Sequence, residues 1–286
     1  QFCLMNLLMG LNVQLMLEAV PLLFLIAVGA WLISQVLEDV SVAYYIWSLM
    51  LLVTASTYAY HSGLQISLAR SDQSNVGLAL LIMVAIWSLR LSAFLIFRAR
   101  NRPEDRRYQA IREKFSPNFG LKSLALIFIF QAFLVWIISS LFALVFATGA
   151  AISWSIWHSI GVALWLVGMI FETLADNQLH RFNQLVVRDS QTLSSGLWRY
   201  SRHPNYFGEC CIWWGWTVFA IPSSLVSASP WIVVAPLLMT FLLLKVSGVS
   251  HMERGITERR PDYRHYAEAT SAVVPWKPGQ KVIKDL

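Results

Sequence analysis

The densest run of side chains capable of chemistry lies between Ser195 and Glu209. Arg199, Tyr200, Arg202, His203, Asn205, Tyr206 and Glu209 follow one another there. An arginine fork matches a phosphate bidentately. Asn, Tyr and His side chains can read an amide, a ribose or an adenine edge. Gly196 and Pro204 punctuate the backbone. Glu209 falls just inside the apolar run that follows, four residues after Asn205 and on the same helix face. The same residue types also suit anchoring at lipid headgroups, with Glu209 as a capping carboxylate.

A second constellation precedes it. Glu172, Asp176, His180 and Asn183 recur at helical spacing. Acids at membrane depth are costly and face a cavity or a partner, although Asp176 and His180 also fit a plain i, i+4 pair on a wet helix end. Arg90 stands inside a third apolar run, softened by Ser88 and Ser92, where it either snorkels or meets an anionic group in a cavity. Glu104, Asp105, Arg106 and Arg107 read as a solvated salt-bridge face. In the tail, Tyr263 and Tyr266 flank Arg264 and His265. That segment reads as an amphipathic helix, a turn at Pro261 and a second short helix, able either to lie on anionic headgroups or to close over a nucleotide. Tyr44 and Tyr45 open the second apolar run, and a tyrosine near a carbonyl can donate a proton. Tyr58, Tyr60 and His61 close the same run and fit an interfacial aromatic belt.

These residues are positioned by apolar runs. Crossing the hydrocarbon core takes about 20 residues of helix, and seven segments qualify: 13–34, 41–60, 77–97, 123–147, 151–173, 207–226 and 230–249. In lipid each span must satisfy its own backbone, so helices are expected. Only 13% of the residues are charged, against about 25% in soluble domains. The expected class is therefore an all-α integral membrane protein of about seven transmembrane helices. Lys and Arg gather from Arg98 to Lys122, from Arg181 to Arg202 and from Arg254 to Lys284. Placing these on the inside puts the C-terminus in the cytoplasm and the N-terminus outside. The chain reads as one domain, with residues 1–76 as a more variable N-terminal part and 77–286 as a C-terminal membrane domain.

The net charge of +6 does not point to nucleic acid, because the basic residues flank apolar spans. Cys3, Cys210 and Cys211 include no CxxC spacing, so neither a disulfide framework nor a metal site is expected. GxGxxG, Walker, HExxH and GxSxG patterns are absent. Any nucleotide must then be held by loops and helix ends. No obligate protein partner is evident.

The run from Gly196 to Glu209 resembles the C-terminal signature of the steroid 5-alpha-reductase-like membrane superfamily, in its bacterial domain-of-unknown-function branch. Trp87 to Tyr108, Phe171 to Phe182 and Glu253 to Trp276 resemble it too. The superfamily also holds sterol reductases and isoprenylcysteine carboxyl methyltransferases. The resemblance implies NADPH as cofactor and an activated C=C bond in a steroid-like or other lipid as acceptor, in a multi-pass protein of the bacterial inner membrane. It places Asp176, Asn205 and Glu209 among cofactor-contacting residues, with Arg90 on the matching third-span face. Glu172, His180, Arg199, Tyr200, Arg202, His203, Tyr206 and Tyr263 complete the expected cofactor set, and Tyr44 and Tyr45 are the candidate proton donors. The reductases' catalytic tyrosine falls at Trp87 here, and their second-span acid has no carboxylate counterpart between Tyr44 and Tyr60. Two alternatives stand beside the reductase: an S-adenosylmethionine-dependent lipid or isoprenylcysteine-type methyltransferase, and a non-enzymatic lipid- or haem-binding membrane protein with His203 or His180 as ligand.

Overall fold

A computed structural model describes residues 12–63, 75–100, 103–148, 152–184, 191–246 and 262–279. The described residues form helices and connecting turns, with no strand among them. In chain order they are α1 (Val13–Glu18), α2 (Val20–Leu37), α3 (Val42–His61), α4 (Asn75–Ala99), α5 (Arg106–Lys114), α6 (Phe119–Ser123), α7 (Phe130–Ile138), α8 (Ser140–Thr148), α9 (Ile156–Phe182), α10 (Pro204–Phe219), α11 (Ile221–Ser227), α12 (Val234–Phe241) and α13 (Asp262–Ala269). A π-type turn, Leu124–Ile129, joins α6 to α7, so that Phe119–Thr148 is one apolar stretch of 30 residues.

Five stretches are long and apolar enough to cross a membrane: Val13–Leu37, Val42–His61, Val76–Ala99, Phe119–Thr148 and Ile156–Phe182. Large apolar side chains such as Leu25, Val36 and Ile170 stand exposed on them. Lipid, rather than water, is the solvent such faces suit. The protein is thus an all-helical, multi-pass membrane protein. The expected sixth span is a bent pair, α10 and α11, broken at Ala220. Pro222 sits in the first turn of α11, where a proline starts a helix more readily than it continues one. The expected seventh span is a shorter apolar helix, Pro230–Lys245. The counted spans are therefore five, or six with the bent pair, among the described residues. The expected tail helix over 251–260 lies outside the described residues; the short helix after Pro261 is α13.

The chain divides into two compact units. The first comprises residues 1–155 and 220–235. Here α3 and α4 pack along each other, and small polar groups join them. Ser48 Oγ donates to the Ser88 carbonyl at 3.1 Å and lies 2.6 Å from Ser92 Oγ, which itself donates to the Tyr45 carbonyl at 2.7 Å. The Tyr58 hydroxyl meets Ser139 Oγ at 3.0 Å, and Trp136 Nε1 donates to the Met16 carbonyl at 2.9 Å. Where lipid is as apolar as leucine, such bonds and close packing hold helices together more than burial does.

The second unit comprises residues 156–219 and 236–286. Its centre is the antiparallel pair α9 and α10, which meet along a glycine seam. Gly161 and Gly168 on α9, seven residues apart, face Gly215 and Gly208 on α10, also seven apart. A Cβ on Gly161 would stand 2.7 Å from the Gly215 carbonyl oxygen, and one on Gly168 would stand 2.6 Å from that of Gly208. The two backbones are therefore in contact, and the register between the helices is fixed at two points.

Candidate functional site

The seam determines what lies beside Glu172. A Cβ at Gly208 would stand 2.5 Å from the Glu172 backbone nitrogen. Glu172 and Asp176 are buried on α9, and Glu209 is buried on α10. Asn205 donates from Nδ2 to Asp176 Oδ1 at 3.4 Å, joining the two helices one turn beyond the last glycine contact. Glu209 Oε1 accepts from Trp213 Nε1 at 2.9 Å, one turn further along α10. Three carboxylates and an amide thus gather at the end of an otherwise apolar helix pair. Burying so many acids is costly unless each has polar partners or a ligand.

The loop that enters α10 is built by side-chain bonds to α9. Gly196 takes φ +62, and a Cβ there would stand 2.6 Å from the Gln178 side chain. Glycine satisfies both conditions. Gln178 Oε1 accepts the Leu197 N–H at 3.0 Å, and the buried Trp198 donates from Nε1 to the Ala175 carbonyl at 3.2 Å. These bonds fix the short 3-10 turn Gly196–Arg199 on α9.

From Tyr200 onward the loop is held by the chain's C-terminal segment. The Arg202 N–H donates to the Ser271 carbonyl at 2.9 Å, and the Trp276 N–H donates to the Tyr200 carbonyl at 2.9 Å. Ser201 Oγ donates to the Val273 carbonyl at 2.7 Å and accepts the His203 N–H at 3.1 Å. The Arg202 guanidinium donates from Nη1 to the Ala267 carbonyl at 3.2 Å. The Tyr266 hydroxyl, on α13, reaches the carbonyls of Trp198 and Ser201. His203 is buried and its ring stacks on Tyr206, centroids 5.2 Å apart and planes 9° apart. Pro204 then begins α10 with its φ already helical.

In the second unit, then, Asn205 meets Asp176 and His203 stacks on Tyr206, Glu172 and Glu209 are buried on α9 and α10, and Arg202 turns to the Ala267 carbonyl. Tyr263 is buried on α13, 5.8 Å from the Tyr266 ring. His180 lies two turns beyond Glu172 on α9, and its Nε2 accepts from Gln184 Nε2 at 3.0 Å. Arg199 and Tyr200 are exposed at the rim. Arg90, Tyr44 and Tyr45 belong to the first unit. The Tyr44 ring lies 5.0 Å from that of Tyr108 and beneath the Arg107 guanidinium at 5.1 Å. Tyr45 is half-buried, and Trp87 is fully buried 6.3 Å from Trp47. Among the described residues no three His, Cys, Asp or Glu side chains gather as metal ligands.

The acidic and basic residues after α4 are more ordered than a solvated face. Glu104 keeps only 10% of its side chain exposed, and both its oxygens take bonds from Arg112 at 2.8 and 3.0 Å. The bond to Glu104 raises the Arg112 pKa further. Asp105 caps α5 by accepting the Arg107 N–H at 2.9 Å, and its carboxylate pairs with Arg107 Nε at 3.1 Å. Burial pushes the Asp105 carboxyl up, but the Arg107 bonds and the Arg107 and Arg98 charges outweigh it and hold it below the ordinary carboxylate range.

Residue types alone pointed to the loop and the two acidic helix faces. They did not point to Gln178, Ser201 or the glycine seam. The seam had a signal: glycine pairs seven apart occur in both runs. No curated protein and no solved structure matches the chain. Residues 30–270 match the family model described as protein of unknown function DUF1295, a family known as steroid 5-alpha-reductase-like, and the chain belongs to that family.

Proposed function

We propose that this protein is an NADPH-dependent membrane reductase of an activated C=C bond in a steroid-like or other lipid. One observation carries the proposal: the buried Glu172, Asp176, His203 and Glu209, with the half-buried Asn205 bonded to Asp176, beside an arginine-bearing loop in a largely apolar helix pair. Carboxylates accept hydrogen bonds, so they suit the hydroxyls of a ribose and the amino group of an adenine. Arg199, exposed at the rim, suits a phosphate. When bound, the cofactor supplies a hydride to the β-carbon of the polarised alkene. A proton from water completes the saturated product at the α-carbon. The basic loops and the C-terminus belong on the cytoplasmic side, in a bacterial inner membrane. A reporter fused after Leu286 and active only in its cytoplasmic form would support that orientation.

One observation favours a second reading, an S-adenosylmethionine-dependent methyltransferase. The buried charges of the second unit are acidic, and Arg202 directs Nη1 to the Ala267 carbonyl. A cationic sulfonium suits such a place better than a phosphate does. Mass spectrometry of whatever nucleotide co-purifies in mild detergent separates the two: NADPH or NADP+ supports the reductase, and S-adenosylmethionine or its demethylated product supports the methyltransferase.

A further inference from the structure

A cavity of about 510 Å³ opens where α2 ends, lined by Ser34, Gln35, Glu38, Val40, Arg112 and Phe119. All six residues belong to the first unit, and none is in the set proposed for the nucleotide. Arg112 is fixed in its wall. Nε and Nη2 bind Glu104 at 3.0 and 2.8 Å, Nη2 also donates to the Glu38 carbonyl at 3.1 Å, and the guanidinium lies over the Phe119 ring at 4.8 Å. Glu104 Oε1 also accepts the Val40 N–H at 3.0 Å, so this carboxylate is fully engaged. The Arg112 bonds use Nε and Nη2 and leave Nη1 available, and the exposed Glu38 carboxylate acts on Arg112 through its charge without a direct bond between the two side chains. Gln35 adds an exposed amide.

A fixed guanidinium edge and a carboxylate therefore share one cavity. With Glu104 and the neighbouring Asp39 counted, its formal charge is negative, because three acids act on one arginine. A ligand that is only anionic would bring like charge toward Glu38. A ligand carrying both a phosphate and a primary ammonium matches both groups. The last turns of α2 beside the cavity expose Leu32, Ile33, Val36 and Leu37 at 53%, 53%, 83% and 61%. They form an apolar strip against which acyl chains would lie. We propose that this cavity holds the headgroup of an ethanolamine phospholipid, its phosphate on Arg112 and its ammonium on Glu38.

The test is native mass spectrometry of the full-length protein in mild detergent with equimolar phosphatidylethanolamine and phosphatidylglycerol. The parent should retain one phosphatidylethanolamine, preferred about tenfold, the size expected for one charge-assisted hydrogen bond. Glu38→Gln, at an exposed side chain, should fold normally and lose that preference, and Gln35→Ala should weaken it by a smaller factor. Soluble glycerophosphoethanolamine should compete poorly, since it lacks the chains. Equal retention of both lipids by the parent overturns the proposal. So does a preference that survives Glu38→Gln, or full competition by the soluble headgroup, which would make the ligand a free zwitterion.

Discussion

Gly208 lies against the backbone of Glu172, so closely that a Cβ on Gly208 would stand 2.5 Å from the Glu172 nitrogen. Helix packing and the acidic cluster are therefore one feature. The seam sets how deep Glu172 sits, and the next turns of the two helices bring Asn205 to Asp176. Gly208→Val forces the helices apart where backbone, rather than a pliable side chain, is the obstacle. A cost of about 1–3 kcal/mol is expected from overpacking of this kind. In detergent the variant should melt several degrees lower than the parent. A change of similar bulk at Gly29, where nothing lies within 4 Å of the added carbon, should leave the melting curve in place.

Tyr266 should matter through its hydroxyl. It donates toward the carbonyls of Trp198 and Ser201, on either side of the exposed Arg199 and Tyr200. Tyr266→Phe keeps the ring and leaves these carbonyls without that donor, at an expected cost of about 1 kcal/mol or more. Hydrogen exchange of the amides from Leu197 to His203 should speed up by roughly fivefold or more, while amides in the centre of α10 are unchanged. Uniform acceleration across both helices would show that Tyr266 supports the whole unit and not the loop.

Asp105 gives a pH dependence with a defined sign. Its carboxyl is held below the ordinary range by Arg107. At a pH where the unfolded chain has already taken up a proton, the folded one is still ionised. Its contribution is therefore full above the ordinary carboxylate range and disappears as the pH falls through the depressed value. The pair is about a third exposed, so the effect is at most about 1 kcal/mol. Asparagine caps a helix as well as aspartate does, so Asp105→Asn removes the charge and keeps the cap. The variant should melt slightly below the parent at neutral pH and match it in acid. A difference that persists in acid would assign the effect to the cap.

Much of the fold was legible in the amino-acid sequence because lipid imposes a simple rule, and runs such as 41–60 and 77–97 became α3 and α4 within two residues at each end. Breaks were less legible. A hydropathy window over 207–226 averages across Ala220, where α10 stops and the proline-led α11 begins. The loop from Arg199 to Asn205 was legible from its side chains. Its attachment was not, because Tyr200 and Arg202 are held by backbone groups of Trp276 and Ser271, and main-chain bonds leave no mark on residue type. Glu104 was read as solvated, and the structure instead buries it between Val40 and Arg112. Its partner Val40 lies 64 positions away, beyond the reach of local spacing.

The central claim is that the polar set between α9 and α10 holds a phosphate-bearing nicotinamide cofactor, and titration calorimetry on the purified protein tests it most directly. NADPH should bind more tightly than S-adenosylmethionine. Asn205→Ala and Glu209→Gln should each weaken NADPH binding by about tenfold or more, as the loss of a buried polar contact of about 1–3 kcal/mol implies, with the protein still monodisperse. Tighter binding of S-adenosylmethionine, or NADPH binding unchanged in both variants, would contradict the account.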